Sequence, residues 1–186
     1  MMYVSKGMPV QTGKEDFTYV AHCGRIHALG PVMTYLWMQG RRKPQTVPAS
    51  RERAIRRLAA SGLASITEES DELGTYRLLA GCILCPEKRR ITDPFLRART
   101  RRIWRWIREA GLHLTAGELV RLEERQLDPE PEYLGVFGRQ RLTEILYSPE
   151  TICEGVLDAA MEHSHARTAT VASLLELLQS GRLLLI

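Results

Sequence analysis

The sequence predicts a mainly α-helical chain with a small β-hairpin, arranged as an N-terminal module followed by an α-helical bundle. Several segments repeat apolar residues at helical spacing between recognisable start and stop signals. Residues 63–79 instead alternate apolar and polar positions on both sides of an acidic, glycine-containing turn, the pattern of a hairpin. Of the 186 residues, 44% are apolar and 26% charged, ordinary globular usage that argues against a disordered chain. This length suits one large domain or two small ones. The division is expected near residue 92, giving a unit over 1–92 and a helical unit over 93–186 that opens with an arginine-rich helix at 93–111.

The elements follow in chain order. Residues 1–28 carry little periodic signal, although "FTYVAHCGRIH" is a candidate strand. "LGPVMTYLWMQG", Leu29 to Gly40, reads as a short helix with Val32, Tyr35, Leu36 and Trp37 facing inward. A basic, proline-containing connection leads to residues 50–62, where Ser50 is placed to cap a helix and Gly62 to end it before Leu63. At about 100° per residue, Ala54, Ile55, Leu58 and Ala59 share one face of this helix, and Arg53, Arg56 and Arg57 the other.

The densest feature is "RARTRRIWRWIRE", residues 97–109, with six arginines and two tryptophans in thirteen positions. Asp93 as cap, Pro94 at the first helical position and Gly111 as stop make residues 94–110 one helix of about 25 Å. Phe95, Leu96, Ile103, Trp106, Ile107 and Ala110 form an apolar stripe. Arg97, Arg101, Arg105 and Arg108 line up on the far side in a row about 16 Å long, with Trp104 at the border between row and stripe. Like charges at i, i+4 repel within a helix, so such a row points to an anionic partner. Guanidinium groups suit phosphate because they stay charged and bind it through two parallel N–H donors.

Beyond it, "LTAGELVRLEERQL" opens with a capping box, Thr115 and Glu118. A short helix is expected around "RQRLTEILY". Ser148 and Pro149 then start another that buries Ile152, Val156, Leu157 and Ala160, with Cys153 inside it and buried. "TATVASLLELLQSG" is apolar on most sides and belongs in the bundle or against a partner, and "GRLLLI" is a docked tail or an oligomer contact.

Charge divides the chain. Residues 1–108 carry 20 Lys+Arg against 9 Asp+Glu, whereas residues 109–186 carry 6 against 13. A basic half joined to an acidic half implies one polyanion-binding side, or neutralisation of one half by the other within or between copies. No apolar run reaches the ~18–20 residues that span a bilayer, and the N-terminus lacks a secretory pattern. A cytoplasmic location with no membrane partner is therefore expected.

Catalytic signatures are missing from the sequence. There is no phosphate-binding glycine loop, no dinucleotide fingerprint and no nucleophile elbow, so binding rather than catalysis is the expectation. Cys82 and Cys85 form a C-x-x-C that His22, Cys23 and His27 could complete as a structural zinc site. The surrounding run "LLAGCILC" favours buried thiols instead, and no cofactor is expected.

A helix, an arginine-faced helix ending in Gly-Leu and a hairpin, in that order over residues 29–79, resemble the winged helix-turn-helix fold. The resemblance implies a recognition helix at 50–62, with Ser50, Arg53, Arg56 and Arg57 toward DNA, and "TEESDELGT" as the wing. It departs from the fold in the nine residues between the two helices, which leave little room for the usual middle helix. "LTAGELVRL" and "SPETICEGVLDAAMEH" resemble the C-terminal domain of DnaD-like replication-initiation proteins. The aromatic DNA-binding motif of that family's last helix has no counterpart in "TATVASLLELLQ".

These features together imply a DNA-binding protein of replication initiation or transcriptional regulation, acting through Arg53, Arg56, Arg57, Arg97, Arg101, Arg105 and Arg108. The C-terminal half would mediate homo-oligomer or protein contacts. The alternative is an assembly module whose arginine row binds an acidic partner or the chain's own acidic half.

Overall fold

The computed structural model describes residues 1–10, 17–87, 96–110 and 113–186. About 51% of the chain is helical and 18% is strand, so helix dominates but the strand content exceeds one hairpin. Three small antiparallel sheets form among the described residues.

The N-terminal part is built on β1 (Met2–Ser5), the middle strand of a sheet with β5 (Gln45–Thr46) and β6 (Ala64–Thr67). A second sheet is the meander β2 (Met8–Val10), β3 (Thr18–His22) and β4 (Arg25–Leu29). "FTYVAHCGRIH" is thus two strands, not one. Cys23 and Gly24 make the turn, both in the left-handed region, with φ of 46° and 74°.

Helices α1 (Pro31–Gly40) and α2 (Glu52–Ala60) bury Leu36, Trp37, Ile55 and Leu58 against Tyr3, Val20 and Leu29. Val32 and Tyr35, expected inside, face outward. Gly62 ends α2 as expected, at φ 76°, and the Leu63 amide donates back to the Leu58 carbonyl at 2.8 Å.

The start of α2 differs from expectation. Pro48 accepts from the Arg51 amide at 2.8 Å and begins a 3-10 turn over Ala49–Arg51, so the chain is already coiling at Ser50. Arg51 takes the capping position, and Ser50 makes no capping bond. The eleven residues between α1 and α2 hold β5 and this turn rather than a middle helix.

The hairpin expected over 63–79 forms only its first strand, β6, which pairs with β1. Asp71 then caps α3 (Glu72–Ala80), accepting from the Gly74 amide at 2.8 Å. Tyr76 and Leu79 share its buried side at i, i+3, a spacing that the short alternation had obscured. The segment "TEESDELGT" therefore makes a strand end and a helix start, and no wing hairpin.

The larger core joins α3 to the C-terminal helices α4 (Ala98–Glu109), α5 (Ala116–Glu124), α6 (Gly135–Leu146), α7 (Glu154–Met161) and α8 (Arg167–Gln179). Helix α8 runs through it, burying Val171, Leu174, Leu177 and Leu178. The tail "GRLLLI" docks as β8 (Leu183–Leu185), paired with β7 (Leu84–Pro86). Gly7 also donates to the Leu185 carbonyl at 2.7 Å, tying the C-terminal strand to the N-terminal part. Residues 72–86 thus precede position 92 in sequence yet pack with the bundle.

The capping box at Thr115 and Glu118 forms as expected. Helix α7 does not start at Ser148. Ser148 and Thr151 bond one another in a turn, Cys153 caps the helix and is exposed, and Leu157 with Met161 becomes the buried face. Ile152, 75% exposed, Val156 and Ala160 point outward, contrary to expectation. No helix among the described residues is long and apolar enough to cross a membrane.

Where α7 meets α5, a carboxylate sits in the bundle. Gly117 gives Asp158 room, since a Cβ there would overlap the carboxylate, and Asp158 Oδ1 is buried with no hydrogen-bond partner. Burial first, then Glu154 and Glu118, pushes Asp158 up to about 6 from its ordinary 3.8. The folded state holds this proton more tightly than the unfolded chain does. Ionisation therefore opposes folding, and stability falls as pH climbs from about 4 to about 6. Allowing for solvent screening of a half-buried group, Asp158→Asn should add about 1 kcal/mol at pH 7.5. Thermal unfolding should show the gain there and lose it near pH 3.5; an equal gain at both values would contradict this assignment.

Candidate nucleic-acid interface

Helix α4 separates its residues as the sequence pattern requires. Ile103, Trp104, Trp106 and Ile107 are buried, while Arg97, Arg101, Arg105 and Arg108 are exposed. Trp104 is only 6% exposed, so it belongs to the core rather than to the border of the row. Trp106 Nε1 donates to the Leu127 carbonyl at 3.3 Å, and its ring lies 6.2 Å from that of Tyr133. Thr100, also buried, donates to Glu176 on α8 at 2.7 Å. The described helix begins at Ala98 with Arg97 in the capping position, which supplies no side-chain acceptor. The expected start at Asp93 and Pro94, Phe95 of the stripe, and the stop at Gly111 lie outside the described residues.

Two arginines that the helical wheel did not single out fasten α4 to α5. Arg102 Nε and Nη2 donate to the two carboxylate oxygens of Glu123 at 2.9 and 2.6 Å, and Arg99 stands 3.6 Å from the same group. The Glu123 side chain is 1% exposed. Its hydrogen bonds hold the Arg102 guanidinium still more firmly in the charged form. Arg102 also lies 3.5 Å from Asp128. The signal for this clamp is faint but present in the sequence. Glu123 follows Leu119 and Leu122 on the apolar face of its helix, where a carboxylate needs a cation.

The outer row is much less neutralised. Arg101 donates to the Leu96 carbonyl at 3.2 Å, and Arg105 to the Pro129 carbonyl at 3.0 Å. Arg105 and Arg108 share Glu109 of their own helix, and no described residue pairs with Arg97. The acidic half therefore takes up Arg99 and Arg102, and the row itself stays at the surface.

On α2, Arg53 and Arg57 are exposed on the outward face of the helix. Arg56 is engaged, donating to Glu52 at 2.8 Å and to Glu68 at 3.0 Å. Ser50 and Arg51 are exposed in the turn before the helix.

Apart from Cys153 at the start of α7, the cysteines fall in two places. Cys82 donates to the Leu78 carbonyl at 3.3 Å, Cys85 lies 3.7 Å from His113, and burial pushes both thiols up. His22 and Cys23 touch one another on β3 and its turn, with His27 on β4. Among the described residues no three His, Cys, Asp or Glu side chains are grouped to hold a metal ion. Comparison with known protein families, curated proteins and solved structures finds no match.

Glu123→Gln removes the buried negative charge that Arg99 and Arg102 share and should lower unfolding free energy by about 2 kcal/mol. Urea denaturation measures this; an unchanged midpoint would mean the clamp does not hold α4 in place.

Proposed function

We propose that the protein binds DNA, with α2 entering a groove and the α4 row gripping phosphates. The observation that carries this proposal is the outward display of Arg97, Arg101, Arg105 and Arg108 on a helix whose other side is buried. Arg53 and Arg57, with Ser50 beside them, form the second contact surface, and Arg56 serves mainly to brace α2 through Glu52 and Glu68. In this proposal α1, α2 and the β1 sheet act as a helix-turn-helix-like module of the winged-helix kind, with β6 and α3 standing where the wing hairpin would be. A role in replication initiation or transcriptional regulation fits such a module, with the bundle serving assembly. The exposed Ile152 and Val156 are a candidate contact for a second copy.

One observation favours a rival. Arg99 and Arg102 already pair with Glu123 and Asp128, so the same helix is suited to acidic protein surfaces. Charge reversal at Arg101 and Arg105 separates the two readings. Under the DNA reading it abolishes duplex binding and leaves the oligomeric state alone; loss of assembly with unchanged DNA affinity would support the rival.

Duplex titrations across a salt series test the proposal itself. Affinity should fall steeply with salt, and Arg53→Ala with Arg57→Ala should reduce the log–log slope by about 2. No binding at ~50 mM salt, or a flat slope, would contradict it.

A further inference from the structure

Beside the outer row, and sharing Arg101 and Arg105 with it, the α4 surface opens into a cleft. Arg99, Arg101, Arg102 and Arg105 line this open cleft of about 460 Å³ together with Asp128 and Pro129. We propose that this cleft is a site for a phosphate monoester, either the 5′-terminal phosphate of a strand or a free mononucleotide. Its strand-end form rests on the DNA reading above; the mononucleotide form does not.

The lining decides the chemistry. A volume of a few hundred Å³ fits a small ligand or one protruding group. Four guanidinium groups and no large apolar side chain exclude an oily occupant. Glu123 fixes Arg102 through two hydrogen bonds and draws in Arg99, so this part of the cleft is organised before any ligand arrives. Glu123 and Asp128 balance two of the four charges. Arg101 and Arg105 hydrogen-bond to the carbonyls of Leu96 and Pro129, which accept donors without cancelling charge.

Arg105 is partly screened by Glu109 at 3.6 Å, which still leaves the cleft with an excess between one and two positive charges. A phosphate monoester carries about −1.5 to −2 near neutral pH, whereas each internal diester of a strand carries one charge. Ala98, the first residue of α4, also lines the cleft. The first turn of that helix holds no acidic residue, so the positive end of the helix dipole adds to the attraction. The phosphates of a continuous duplex follow a convex path and meet the outer row. Arg101 and Arg105 belong to both surfaces, and a group that projects, such as a strand end or a small molecule, would meet Arg99 and Arg102 as well.

The test uses the full-length protein and three probes: a short duplex with 5′-hydroxyl ends, the same duplex with 5′-phosphates, and adenosine monophosphate alone. The 5′-phosphorylated duplex should bind about tenfold more tightly, a gain typical of a charge-assisted bidentate contact. Arg99→Gln, a change at an exposed position, should bring that ratio toward one while circular dichroism stays native. Adenosine monophosphate should bind measurably by calorimetry and protect the cleft arginines from phenylglyoxal.

A 5′-phosphate preference without nucleotide binding identifies the strand end as the source, and nucleotide binding without the preference identifies the free ligand. Equal affinity for both duplexes together with no nucleotide binding would overturn the site. In that case, salt-dependent binding of both duplexes leaves the DNA reading intact. Nucleotide binding with no duplex binding has the opposite meaning: the cleft stands and the DNA reading fails.

Discussion

The apolar stripe of α4 sets the orientation on which everything proposed for this protein depends. Ile103, Trp104, Trp106 and Ile107 are buried against α8, β7 and their neighbours in the larger core. Two buried tryptophans remove on the order of 300–500 Å² from water, worth several kcal/mol. Rotating the helix to bring Arg101 or Arg105 inward would forfeit that term and desolvate a guanidinium besides. The display of arginine is therefore a consequence of packing. Polar contacts on either flank of the stripe sharpen the orientation: Thr100 reaches Glu176 on α8, and Arg102 reaches Glu123 on α5.

That clamp also explains why the α5 carboxylate Glu123 does not neutralise the row. Glu123 sits on the buried face of α5 and can meet only arginines that flank the stripe, so Arg99 and Arg102 take it. The row at 97, 101, 105 and 108 lies further round the helix. The N-terminal part joins this frame through short backbone connections. Gly7 donates to β8, β8 pairs with β7, and β7 follows directly from α3. Two apolar cores, tied by these connections, thus carry a basic α2 face and a basic α4 face.

Elements with local start or stop signals were legible in the sequence. The Thr115–Glu118 capping box, the Gly62 stop of α2 and the amphipathic split of α4 each depend on residues within one or two turns of each other. Where two local signals competed, the weaker in the sequence won in the fold. The alternation over 63–79 yielded to the Asp71 cap after four strand residues. Ser50 lost its capping role because Pro48 starts the coil earlier, and the Ser148–Thr151 turn delays α7 and exposes Ile152 and Cys153. The site was half legible. The outer row follows from helical period alone, whereas the cleft depends on Glu123 and Asp128, twenty or more residues away and placed only by tertiary packing.

The central claim is that the arginine row of α4 faces a nucleic acid. Arginine modification by phenylglyoxal, read residue by residue by mass spectrometry with and without a saturating duplex, tests it most directly. The account predicts that the duplex protects Arg97, Arg101, Arg105 and Arg108 together with Arg53 and Arg57. It predicts little change at Arg139 and Arg141 of α6, which belong to the acidic half of the sequence. Protection confined to α6, or none on α4 under conditions where the duplex is bound, would contradict it.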